Sequence, residues 1–173
     1  MKKNALAFLA AFAVVSPASA ETAVVKIRST AADAAPLGVL TLADAPGGLR
    51  VTGTLSGLPP GAHGFHIHEF GDCGDAGKAA GGHYNPRHAP HGDALKDGIE
   101  KAHAGDLGNV VVDAGGGASI DVTLPGVSVA KGRLSVAGRA FIIHEKADDF
   151  SQPAGNAGGR IGCGPILIAA APK

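Results

Sequence analysis

Apolar and polar residues alternate in short runs along the chain, and almost nowhere do they recur at the helical period. The run Ala23-Val24-Val25-Lys26-Ile27-Arg28 alternates in the manner of a half-buried strand. Gly38–Ala43 and Leu49–Leu55 repeat the pattern, parted by the turn Ala45-Pro46-Gly47-Gly48. Pro59-Pro60-Gly61 breaks the chain before a fourth run, His63–His68. Gly108–Val112 and Ala118–Leu124 follow around a triple-Gly turn, then Arg139–His144, which reads as fully buried, and Gly164–Ala169. Eight short strands at this spacing predict an all-β fold, an eight-stranded antiparallel Greek-key sandwich or barrel. Two stretches rich in Gly, Pro, Asp and His, Glu69–Lys101 and Glu145–Gly159, carry neither period. Irregular segments of that length in a compact domain are usually functional loops on a rigid scaffold.

Residues 1–20 stand apart from this pattern. Lys2 and Lys3 precede an apolar stretch, Ala5–Val15, which ends near Ala18-Ser19-Ala20, the layout of a cleaved signal peptide. The stretch is about half of what a membrane span needs. Residues 21–173 are then expected to form one exported domain, located in the periplasm of a bacterium. The whole chain balances 15 basic against 15 acidic residues, and removing Lys2 and Lys3 leaves 13 against 15. A net charge near −2 gives no reason to expect nucleic acid or a membrane surface as partner. Cys73 and Cys163, the two cysteines of an exported chain, are expected to form a disulfide. Closing so long a loop contributes at most about 4–5 kcal/mol.

The chemistry concentrates in histidine. His66 and His68 are two apart on an expected strand, so both rings lie on one face and can reach one ion. His83 and His91 fall in the first long loop, His103 and Asp106 within one turn-like step, and His144 at the end of a strand. Six imidazoles and one carboxylate so distributed read as two adjacent metal sites.

The segments Gly64-Phe65-His66-Ile67-His68-Glu69, Gly82-His83-Tyr84-Asn85-Pro86, His103-Ala104-Gly105-Asp106-Leu107-Gly108-Asn109, His144-Glu145-Lys146-Ala147-Asp148-Asp149 and Gly155–Gly164 closely resemble the copper–zinc superoxide dismutases. The resemblance runs from the first strand to the last. It implies that His66, His68, His83 and His144 bind copper, and that His83, His91, His103 and Asp106 bind zinc, with His83 shared. Four imidazoles suit Cu(II), and three nitrogens with one carboxylate suit a closed zinc site. His88 competes with His91 for the third zinc position, and His91 is preferred because its spacing of eight from His83 matches that of the family. His63 is expected to be structural. Asp148 is implied to accept hydrogen bonds from His66 and His91, and Arg160 to dock the substrate, the superoxide anion.

The implied reaction converts superoxide to oxygen and hydrogen peroxide by alternating reduction and reoxidation of copper, with His83 carrying a proton. The stretch Phe150–Ala154 is shorter than in eukaryotic members and lacks their Lys and Glu cluster, so Lys96, Lys101 or Lys146 is left to steer the anion. Phe70-Gly71 and Ile166-Leu167-Ile168 are similar to the dimer surface of eukaryotic members, which leaves a homodimer through that face, pairing through another, or a monomer open. A non-catalytic copper or zinc carrier on the same fold is the rival reading. A copper chaperone lacks support, since the chain has one Met and no Cys-x-x-Cys.

Overall fold

The computed structural model describes residues 20–170. The leader expected at residues 1–20 lies outside them except for Ala20. Eight strands form: β1 (Thr22–Ser29), β2 (Pro36–Ala45), β3 (Gly48–Leu55), β4 (Gly61–His68), β5 (Asp106–Val112), β6 (Ala118–Pro125), β7 (Ala140–His144) and β8 (Arg160–Ile168). All pairings are antiparallel, in the order β5-β4-β7-β8-β1-β2-β3-β6. The edge strands β5 and β6 approach each other, so the sheet curls into a nearly closed barrel. The connections β3–β4 and β6–β7 cross between its halves, as a Greek key requires.

Alternation explains most of these strands. Ala23, Val25 and Ile27 of β1, Leu49, Val51 and Leu55 of β3, and Ile120 and Leu124 of β6 point into one core. Strands β4 and β7 depart from it, because His63–His68 and Ala140–His144 are buried on both faces. Their inner faces meet the barrel core, where Phe65 stacks on Phe141. Their outer faces lie under the two long loops. A small second core of Ala80, Ala140, Ile142 and Cys163 seals the first loop onto the sheet, and the Cys73–Cys163 disulfide ties it there. Two rigid strands roofed by loops are thus where buried polar side chains can be held.

The first loop is not wholly irregular, as the sequence led us to expect. It contains a 3₁₀ turn at Lys78–Ala80 and a single helical turn, α1 (Ala94–Asp97). Asp93 caps α1 by accepting from the N–H groups of Leu95 and Lys96. Elements of three or four residues are too short to show a hydrophobic period. The apolar tail also divides: Ile166 points into the barrel, while Leu167, Ile168 and Phe70 are exposed. Among the described residues no helix is long and apolar enough to cross a membrane.

Candidate metal centre

Register brings the first group together. His66 faces Ile142 across the β4–β7 pairing, so His66, His68 and His144 project from the same outer face of neighbouring strands. An isolated bridge between His68 and His83 delivers His83 from the first loop. Tyr84 N–H donates to Ile67 O, and Ile67 N–H to Gly105 O, which draws the His103–Asp106 turn alongside. Gly105 has to be glycine at this crossing, since a Cβ there would lie 2.2 Å from Ile67 O.

Hydrogen bonds fix which nitrogen of each ring is free. His66 Nε2 lies 2.8 Å from Asp148 Oδ2, His68 Nδ1 3.0 Å from Gly81 O, and His144 Nδ1 3.4 Å from Gly158 O. These oxygens can only accept, so those nitrogens carry the proton and the opposite ones present lone pairs. His66 Nδ1 is buried with no partner. The Nε2 atoms of His68 and His144 face each other at 3.3 Å. Lone pairs converging without a donor repel unless a cation lies among them, and His66, His68, His83 and His144 make one such group.

His83 belongs to a second group with His91, His103 and Asp106. Its Nδ1 is 2.8 Å from Asp106 Oδ1 and 3.4 Å from His103 Nδ1. With Nδ1 engaged here, Nε2 is left for the first group. His91 Nδ1 is 2.8 Å from Asp106 Oδ2, but off the hydrogen-bond line, so it counts among the buried unpartnered atoms. The ring edge thus meets a carboxylate in the way a metal-bridged pair would. Both donor sets fit the ions the residues suggested, four nitrogens for copper and three nitrogens with one oxygen for zinc.

Proton affinities divide the groups. Burial, against the pull of Asp148, lowers His66 to about 4, and burial lowers His68 to about 2 and His144 to about 3. These rings are neutral at pH 7, as ligation requires. Burial also opposes the charged form of His91, but Asp106 and Asp148 outweigh it and raise the ring to about 9. Burial would raise Asp106, yet hydrogen bonds from His103 and His83, with the His91 ring edge close against it, hold it far below the usual carboxylate range.

Asp148 lies between the groups, accepting from His66 at 2.8 Å and from His91 at 3.0 Å. Two residues that support it stand within the quoted motifs, but nothing in the sequence assigned a role to either. The carboxamide of Asn109 bonds both the N–H and the C=O of Asp148. Gly155, at φ 73°, leaves room for the carboxylate, since a Cβ there would lie 1.8 Å from Asp148 Oδ1. His63 bonds the carbonyls of His144 and Pro59 and joins neither group. His88 also lies outside both and adopts φ 55°.

The first group opens to solvent. His68, His83, His144 and Arg160 line a concavity of about 330 Å³ walled by Pro153, Ala154 and Asn156 to Gly158. Arg160 reaches it from the start of β8, its Nη1 donating to Gly77 O at 2.5 Å and Nη2 to Gly81 O at 2.6 Å. Thr30 Oγ1 bonds the Arg160 carbonyl. Burial lowers the guanidinium pKa, but so strong a base stays charged. A larger concavity, about 750 Å³ and lined by Arg87, Lys131 and Arg133, holds none of the grouped histidines. Lys96, one steering candidate, is paired with Asp93 at 2.7 Å.

The family model described as copper/zinc superoxide dismutase matches residues 37–166. An extracellular Cu-Zn superoxide dismutase of Caenorhabditis elegans is 45% identical over 125 residues, covering 68% of this chain and 55% of that protein. One from Brugia pahangi is 40% identical over 130 residues, covering 69% and 63%. Cu-Zn superoxide dismutase 3 of Arabidopsis thaliana is 42% identical over 130 residues, covering 71% and 77%. The chain thus spans little more than half the length of the first of these. Among solved structures, a SOD-like protein from Bacillus subtilis superposes with TM-score 0.73 at 36% identity, over 83% of this chain and 97% of that one. A double mutant of it superposes at 0.74 and 37% identity, over 83% and 96%.

Proposed function

The chain belongs to the copper/zinc superoxide dismutase family, and on that premise we propose that it disproportionates superoxide to oxygen and hydrogen peroxide in the periplasm. His66, His68, His83 and His144 would hold copper, and His83, His91, His103 and Asp106 zinc. Copper would supply two accessible oxidation states, and zinc a Lewis acid that is not itself oxidised or reduced.

The chain's own residues do the rest. Arg160, clamped by Gly77 O and Gly81 O, keeps N–H donors at the rim of the cavity for a small oxyanion. His83 engages the zinc side through Nδ1, so Nε2 is the atom that takes up and returns a proton at the cavity. Asp148 holds the rings of His66 and His91 in one tautomer and one orientation. Support for export comes from the leader-like residues 1–20, the disulfide, and the extracellular relatives from Caenorhabditis elegans and Brugia pahangi.

The observation that carries the reading is that one ring, His83, belongs to both groups beside a cavity with one fixed cation. The test is superoxide consumption by the purified protein loaded with both metals. Catalytic consumption that vanishes when copper alone is stripped is expected. A fully loaded protein that consumes none would hand the reading to a metal carrier.

A further inference from the structure

Gln152 lies in the second long loop, and its carboxamide reaches across to the first. Its Oε1 accepts from the N–H of His91 at 3.0 Å, and its Nε2 donates to the C=O of the same residue at 2.8 Å. Donor and acceptor on His91 therefore fix which end of the amide is oxygen. A planar fork bonded to both polar groups of one residue sets the position of that backbone and its rotation together.

His91 needs such support more than the other members of its group. His103 and Asp106 are locked by their own turn, Asp106 N–H to His103 O at 3.1 Å, and by the start of β5. His83 is pinned by the bridge to His68. His91 lies on irregular chain between Asn85 and α1. The second loop grips it at both ends, the backbone through Gln152 and ring Nε2 through Asp148. Asp148 is itself held by Asn109 through the same two-bond device, at 2.7 and 2.9 Å. The residues after Gln152, Pro153 and Ala154, wall the cavity that contains Arg160.

We propose that Gln152 is the positioning residue for His91, governing how long zinc is retained and tying the wall of the substrate cavity to the zinc side of the centre. The proposal rests on the reading of His91 as a zinc ligand. Partners that orient metal ligands typically alter metal affinity by roughly 10–100-fold, and Gln152 is exposed to competing water. The expected effect is therefore at the low end, roughly tenfold.

The experiment follows zinc release from the copper- and zinc-loaded protein into a chromogenic chelator. Gln152→Met, which keeps the length and loses both bonds, should release zinc roughly tenfold faster than wild type. Ile120→Val, which loosens the barrel away from the loops, serves as the control for general destabilisation and should leave release unchanged. Wild-type release from Gln152→Met overturns the proposal, and so does equal acceleration by Ile120→Val. Should Gln152→Met fail to fold, Gln152→Glu, which lacks the donor to His91 C=O, replaces it with the same two outcomes. A wild-type protein that takes up no zinc would instead overturn the site assignment, and the proposal with it.

Discussion

His66, His68 and His144 stand on two adjacent strands with apolar core beneath them, whereas His91, His103 and Asp106 stand on loop and turn around a carboxylate. In the first group burial dominates, even over the Asp148 carboxylate beside His66, and the rings are held neutral, near 4, 2 and 3. In the second, three imidazoles converge on Asp106 as their hub, two of them through hydrogen bonds, and His91 is raised to about 9. The same side chain is thus a poor base in one group and a strong one a few ångströms away. Where burial dominates, lone pairs are left bare and ready for a metal, while beside two carboxylates His91 holds a proton that a dication must displace.

Removing the hub should break this contrast most severely. Asp106→Ala is expected to abolish zinc uptake and to cost the metal-free protein about 3–5 kcal/mol, because buried polar rings lose their common partner. Metal analysis and urea unfolding check both. His144→Ala is the counterpart and should empty copper while sparing zinc; loss of zinc instead would mean the ligand sets are wrongly divided.

Acid should attack one group and alkali the other. The first-group rings have folded values below the unfolded 6.5, so the unfolded chain binds more protons below that pH. Their stabilisation of the metal-free fold falls as pH drops from about 6.5 toward 4, by about 2 kcal/mol per ring at about pH 5. His91 runs the other way: its contribution is full below 6.5, offsets part of the acid loss, and disappears as pH rises through about 9. Urea midpoints at pH 5, 7 and 10 read both limbs, and a midpoint flat from 7 to 5 would contradict the account.

A smaller effect is expected at the cavity rim. Arg160→Ala should slow superoxide consumption roughly 10–100-fold, the worth of charge-assisted hydrogen bonds to an anion, with copper and zinc content unchanged. Equal activity would remove the docking role. The smallest belongs to His88, outside both groups. His88→Ala should leave zinc content unaltered and move stability by no more than about 0.5 kcal/mol, whereas zinc loss would move the third ligand from His91 to His88.

The barrel was readable because each of its strands has an inward face, and that face repeats every second residue. Where two faces are buried, as in Ala140–His144, the run stays apolar and still reads as strand. His66 and His68 were readable for the same reason, since a strand puts i and i+2 together. Position in the loops was not. Asn109 and Asp148 are 39 residues apart, and Gln152 and His91 61 apart, so their pairing depends on how the long loops fold over the sheet and over each other. Gly155 was hidden too, because its reason is a carboxylate that only the folded chain brings near. Nor does any periodicity mark α1, whose single turn rests on the Asp93 cap.

The most direct test of the shared ring is a crystal structure of the protein grown with ample copper and zinc. The account predicts zinc at Nδ1 of His83 and copper at its Nε2, with His91 and not His88 on the zinc. A His83 ring in contact with one ion only, or with neither, would contradict it.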